Sequence, residues 1–194
     1  MDVSHEEALR GGALAILPTD TVYGIGCAAG ERDACARLYA CKARPPDQPT
    51  ALVLGSVDGL LRALPELSDG QAARYRRVLP GAVTLVVPNP ARRFAHLCGT
   101  TPARIGVRVP MLVAAVAALT DAVGGVALTS ANLRGEEPPA RLADVPDDLR
   151  RLCTVEIDGG ELGGTPSSVI DVTGAEPAVL RRGPDADSLV ALLR

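Results

Sequence analysis

Five consecutive apolar residues, Ala13-Leu-Ala-Ile-Leu17, run from the Gly11-Gly12 pair to Pro18. A run that short, bounded by breakers, reads as a buried strand rather than a helix. Directly beyond it stand Thr19-Asp-Thr-Val-Tyr-Gly-Ile-Gly26, which we read as a polar loop leading into the next helix. Open α/β sheets place their ligands beyond the C-terminal ends of buried strands, so this stretch organises the chain. One short helix later comes Lys42-Ala-Arg44, and Lys42 is the only lysine among twenty basic residues.

The remaining pattern alternates short strands with helices. Ser4-His-Glu-Glu7 has the form of a capping box and opens a helix to about Arg10, stopped by the two glycines. Residues 31–41 give a helix with Ala34, Leu38 and Cys41 on one face, and Pro45, Pro46 and Pro49 hold the next segment extended. A strand over 50–54 and helices near 57–63 and 69–78 precede a strand over 83–87. Segment 88–103, basic and broken by prolines, is expected to be a mobile loop. Ile105–Pro110 is a strand with Arg108 inside it, followed by an apolar helix to about Leu119. An arginine within a strand faces solvent or points into a site. Val126–Leu128 delivers Thr129-Ser-Ala-Asn132 at its end, and a short helix precedes a strand near 153–157. Strands starting at Ser167 and Val179 follow, then a helix capped by Asp187. The fold class is α/β, and 194 residues without repeat or linker predict one domain.

Charge is uneven. Between Gly70 and Thr120 there is no acid, whereas arginines stand at 74, 76, 77, 92, 93, 104 and 108. Such asymmetry suggests an anion-binding face, for nucleotide phosphates or nucleic acid. No apolar run reaches the eighteen or so residues of a membrane span. The acidic start, Met1-Asp-Val-Ser-His-Glu-Glu7, does not fit a signal peptide. Cysteines 27, 35, 41, 98 and 153 are odd in number and lack a C-x-x-C pair, which argues against a disulfide framework or structural zinc and suits free thiols in the cytoplasm.

Several familiar chemistries drop out. Gly24, Gly26 and Gly30 are spaced one residue too long for a dinucleotide fingerprint, and no acid closes the next strand. A P-loop motif is absent. Ser130 is not in a nucleophile elbow, and Cys27 has no base near it in sequence. What remains is hydroxyls, amides and fixed cations at several strand ends. That inventory can hold a phosphorylated ligand beside a small polar one, and phosphoryl or nucleotidyl transfer depends mainly on positioning and electrostatics.

Seven motifs then fall in order: Pro18-Thr-Asp-Thr-Val-Tyr-Gly-Ile-Gly26, Lys42-Ala-Arg44-Pro45, Pro80-Gly81-x-x-Thr84, Val107-Arg108-Val-Pro110, Ser130-Ala-Asn132 with Gly135, Ser167-Ser-Val-Ile-Asp171 and Leu180-Arg-x-Gly183. Together they resemble the YrdC-like threonylcarbamoyl-AMP synthases across nearly the whole chain. The resemblance implies a twisted mixed, partly parallel open sheet flanked by helices, with a basic concave cavity. It implies a nucleotidyltransferase that joins L-threonine, bicarbonate and ATP, with Mg²⁺, into threonylcarbamoyl-AMP and pyrophosphate. The product would serve modification of an adenosine in tRNAs that read ANN codons, through a downstream transferase complex. By motif, Lys42, Arg44, Ser130 and Asn132 surround the nucleotide and reaction centre. Thr21, Tyr23, Arg108, Leu128 and Ser167 form the threonine site, and Gln48, Arg104, Pro138 and Arg181 lie near ATP. No prosthetic group or resident metal is implied.

The chain departs from the family pattern at Gln48 (often Asn or Lys), Val53 (sometimes His), Arg104 (often Thr) and Ser168 (usually Thr). It is also expected to lack the extra C-terminal domain of the longer branch, leaving an internal loop such as 159–166 to close the cavity. The competing readings are a paralogue with the same pocket but another activity, a duplex RNA or tRNA-binding module, and carbamoyl transfer to a different acceptor.

Overall fold

A computed structural model describes residues 3–194. Helix α1 (Val3–Arg10) precedes strand β1 (Leu14–Leu17), and Gly12, at φ 86°, makes the turn between them. The helix begins one residue before Ser4, so Ser4 lies inside it rather than at its cap. Strand β2 (Gly24–Ala28) then doubles back antiparallel on β1, with Ala15 opposite Gly26. The sequence pattern predicts instead a polar loop running through Gly26. The glycines are a packing requirement. A Cβ at Gly24 would stand 2.7 Å from Leu128 Cγ, and one at Gly26 would strike the Ala127 carbonyl. Glycine inside a strand commonly marks such close approach.

Helix α2 (Arg32–Cys41) leads to β3 (Ala51–Val53), α3 (Val57–Ala63) and α4 (Asp69–Tyr75), whose Ser68 and Gln71 form a reciprocal capping box. Strands β4 (Val83–Pro88) and β5 (Arg104–Arg108) form an antiparallel pair. The segment joining them is not loose. Asn89 is buried, donates to the carbonyls of Arg93 and Pro102, accepts from the Arg93 N–H, and so pins the loop; Leu97 is buried beneath it. Helix α5 (Ala114–Ala122) starts later than the apolar run predicts, leaving Met111 and Val113 exposed. Then come β6 (Val126–Ser130), α6 (Asp147–Arg150), β7 (Cys153–Glu156), β8 (Ser168–Asp171), β9 (Ala178–Arg181) and α7 (Ala186–Leu193). Asp187 sits within the first turn of α7 and pairs with Arg182 rather than capping the helix.

All nine strands join one mixed sheet in the order β7-β1-β2-β6-β3-β5-β4-β8-β9. The pairs β1–β7, β3–β5 and β4–β8 are parallel and the others antiparallel. Strand alternation sorts the two faces. Leu52, Val107, Leu85 and Ile170 point to the main core, which includes Leu38, Leu60, Tyr75 and Leu193 from the helices. On the other face a smaller cluster gathers Leu9 of α1 and Leu119 of α5 over Ala15, Leu17, Val126 and Leu128. The rest of that face forms the floor of a cavity.

Candidate active site

Register fixes that floor. Val53, Arg108, Thr84, Val169 and Arg181 stand in one row across β3, β5, β4, β8 and β9. All five line a cavity of about 570 Å³, together with Val86, Gly106 and Asp171 from the next row. Its volume lies in the range of small-molecule sites.

At the Arg108 end the groups are hydroxyls and one ion pair. Arg108 Nη2 donates to Asp20 and, at 2.8 Å, to Thr21 Oγ1. Thr21 Oγ1 lies 3.1 Å from Thr19 Oγ1, and Thr84 Oγ1 lies 3.3 Å from Ser167 Oγ. Arg108 is buried, and its Nε–H has no hydrogen-bond partner. Burial pulls Arg108 below its ordinary value, with Asp20 opposing. Arg181 donates through Nε and Nη2 to the Ser167 carbonyl at 3.0 and 2.8 Å, and through Nη2 to Ser167 Oγ at 3.2 Å. Desolvation lowers Arg181 as well, and the nearby Arg108 adds to the effect. Two like charges over one hollow, one with an idle buried donor, constitute a site for an anion.

The other end is more open. Arg104, four residues up β5 and so about 13 Å away, pairs with Asp171 at 3.0 Å. Asp171 also accepts from Thr173 N and Oγ1, which leaves little of the carboxylate free. Arg44 reaches Thr129 Oγ1 at 3.4 Å and the Pro49 carbonyl, and its guanidinium lies 5.9 Å over the Tyr39 ring.

Lys42 and Arg44 owe their directions to the end of α2. Ala43 N–H bonds to Ala40 and Arg44 N–H to Tyr39, with Ala43 left-handed at φ 44°. This is a Schellman stop with alanine where glycine is usual. Lys42 turns away from the cavity wall and donates to the Ser130 carbonyl at 2.9 Å, to the Asn132 carbonyl, and to Asn132 Oδ1 at 3.4 Å. Burial lowers its ammonium. Ser130 Oγ bonds to the same Asn132 Oδ1 at 2.6 Å.

Of the residues singled out from sequence, Thr21, Arg44, Gln48, Arg104, Arg108, Leu128, Ser130, Pro138, Ser167 and Arg181 line the cavity. Lys42 and Asn132 sit one layer behind it, joined through Ser130. Tyr23 is fully buried and points elsewhere. Its hydroxyl donates toward Asp158 Oδ1 (2.9 Å) and the Gly160 carbonyl (2.8 Å), and accepts from Gly159 N–H (2.8 Å). With Gly164 N–H on the Thr21 carbonyl, this fastens the 159–166 loop to the Thr19–Tyr23 turn. That loop is therefore anchored rather than a free lid. Asp20, paired with Arg108, and Thr84, on the cavity floor, also shape the site although the resemblance assigns them no role; an acid between two threonines is the signal in sequence.

The Sua5/YciO/YrdC family model, described as "Telomere recombination", matches residues 7–183. The chain belongs to that family. A threonylcarbamoyl-AMP synthase of Chromohalobacter salexigens is 38% identical over 181 residues, covering 90% of this chain and 93% of the relative. The fold matches P. abyssi Sua5 complexed with L-threonine at a TM-score of 0.84 and 29% identity, covering 97% of this chain and 57% of that one. E. coli YciO matches at 0.83 and 25% identity, covering 96% and 91%. The mixed sheet flanked by helices expected from the sequence is the family's fold.

Proposed function

We propose that the chain is an L-threonylcarbamoyladenylate synthase, which joins L-threonine, bicarbonate and ATP and releases pyrophosphate. The carrying observation is the buried Arg108 with its idle Nε–H, set among the hydroxyls of Thr21, Thr84 and Ser167. A planar guanidinium with free donors suits a carboxylate, and short hydroxyls suit a small polar amino acid. Arg44, Arg104 and Arg181 supply the fixed charge a triphosphate needs. The product holds the carbamate carbon bonded to nitrogen and, through oxygen, to the α-phosphorus. Its formation therefore requires a carbamate oxygen to attack that phosphorus as the bond to pyrophosphate breaks. In this reading Arg108 holds the amino acid and the arginines hold the phosphates in line. Lys42 sets Ser130 and Asn132 from behind and lends positive charge to the centre.

Among the described residues, no group of three His, Cys, Asp or Glu could hold a metal ion. Mg²⁺ would come with ATP, held by phosphates and water, where it offsets phosphate charge. We assign the product to adenosine modification in tRNAs reading ANN codons, through a transferase partner. The five free cysteines suit a reducing cytoplasm, and no helix of the described residues is long and apolar enough to cross a membrane. The test is pyrophosphate release from ATP with threonine and bicarbonate. Lys42→Ala is expected to cut it by about two to three orders of magnitude with the fold intact. Release unchanged in the variant would refute the role of Lys42.

A further inference from the structure

Two thiols from different elements meet beneath the site. Cys27 on β2 and Cys35 on α2 have their sulfurs 3.6 Å apart, at 0% and 3% exposure, and both are free. His96 approaches from the loop between β4 and β5. Its Nε2 lies 3.0 Å from the Ala29 carbonyl, and its Nδ1 is buried without a hydrogen bond. The same carbonyl lies 3.9 Å from Cys35 Sγ, so the ring and the thiol pair meet at Ala29.

We propose that Cys27 and Cys35 are a modification site, which hydroperoxides convert into an intramolecular disulfide fastening α2 to β2. The two sulfurs need close only from 3.6 Å to about 2 Å. Roles follow from the surroundings. The hydrogen bond shared with Cys27 and the His96 ring outweigh burial and lower Cys35, while the same shared bond raises Cys27. Cys35, whose sulfur lies 3.9 Å from the same Ala29 carbonyl that holds the His96 ring, is the attacking thiolate, since the thiolate is the nucleophile. Its sulfur takes one peroxide oxygen to become a sulfenic acid, and hydroxide leaves with the O–O bond pair. The Cys27 sulfur then displaces water from that sulfenic acid. In sum two thiols and one hydrogen peroxide molecule give one disulfide and two waters (an organic hydroperoxide gives its alcohol and one water), the sulfurs oxidised and the peroxide reduced. The link would join the strand that leaves Tyr23 to the helix that delivers Lys42 and Arg44.

The experiment treats the folded, reduced full chain with hydrogen peroxide, blocks remaining thiols in denaturant, and maps unreduced peptides by mass spectrometry. The expected result is a Cys27–Cys35 cross-linked peptide, two hydrogens lighter than the pair and abolished by dithiothreitol. In Cys27→Ser, Cys35 is expected to stop at the sulfenic stage and be trapped by dimedone. The proposal is overturned if Cys27 and Cys35 both remain thiols after peroxide. It is equally overturned if Cys35 gains oxygen in the wild-type chain while Cys27 stays free, or if the cross-link joins Cys41 to Cys153 instead. None of these readouts depends on the enzymatic reading.

Discussion

Arg108 donates to Asp20 through Nη2 while keeping its buried Nε–H unspent, so the carboxylate holds the guanidinium in place without using it up. Asp20 Oδ2 also accepts from Met111 N–H at 3.1 Å, which ties the first polar turn to the segment after β5. The pair is 10% and 13% exposed.

Arg108→Lys keeps a charge near Asp20 but loses the planar fork. It is expected to raise KM for the amino acid by about 10²-fold while moving KM for ATP much less, because only one end of the cavity loses its donors. Steady-state kinetics with each substrate varied checks this. Arg108→Ala, by contrast, leaves the half-buried Asp20 without its cation, held only by the Met111 N–H, and is expected to cost about 3 kcal/mol of stability.

Ala43 occupies a left-handed conformation that costs an L-residue about 1–2 kcal/mol. Ala43→Gly is therefore expected to raise the free energy of unfolding by up to about 1 kcal/mol. Activity should not rise with it, since the turn directs Lys42 and Arg44 and glycine frees it to move. Urea titration and pyrophosphate release on the same samples separate the two effects.

The Gly160 N–H and the Tyr23 hydroxyl hold the Asp158 carboxyl below the usual carboxylate range. A carboxyl depressed in the folded state contributes stability above its unfolded value, lost as pH falls through the folded one. Thermal stability should thus drop below about pH 4, and Asp158→Asn should flatten that acid limb. A melting series across that range reads the slope directly.

The basic segment expected to mark an anionic partner is largely spoken for. Arg76 pairs with Asp58 and Arg93 with Glu66, while Arg74 and Arg77 reach the carbonyls of Leu193 and Leu192 at the end of α7. Arg104 and Arg108 face the cavity. Duplex RNA should therefore bind weakly, with a log–log salt slope of no more than about −2, where a dedicated duplex binder neutralises many phosphates and is far steeper. Fluorescence anisotropy at a series of salt concentrations tests it.

How far these features were legible depends on range. The α2 stop and Arg108 inside a strand follow from local pattern, and the sequence places them where the structure has them; the strand ends shift, since β6 runs on to Ser130 and β5 stops at Arg108. Strand β2 was missed because Gly24 and Gly26 imitate a loop, and their reason, the Leu128 side chain, lies a hundred residues away in sequence. The Asp20–Arg108 pair, 88 residues apart, and the pairing of the surface arginines are tertiary facts that composition conceals. Tyr23 was placed in the pocket because it sits in the polar motif. A phenol on a turn whose neighbours face the cavity can equally point backwards, and here it clamps a loop. Ala43 gave no signal, since the motif it completes is ordinarily marked by glycine.

The central claim is that one hollow seats an amino-acid carboxylate on Arg108 and a triphosphate on Arg44, Arg104 and Arg181. Its most direct test is mass spectrometry of the products formed from ATP and bicarbonate with threonine, with serine, and with no amino acid. The account predicts threonylcarbamoyl-adenylate with threonine as the dominant product and none without amino acid. Equal adduct from serine, or pyrophosphate release with no adduct at all, would contradict it.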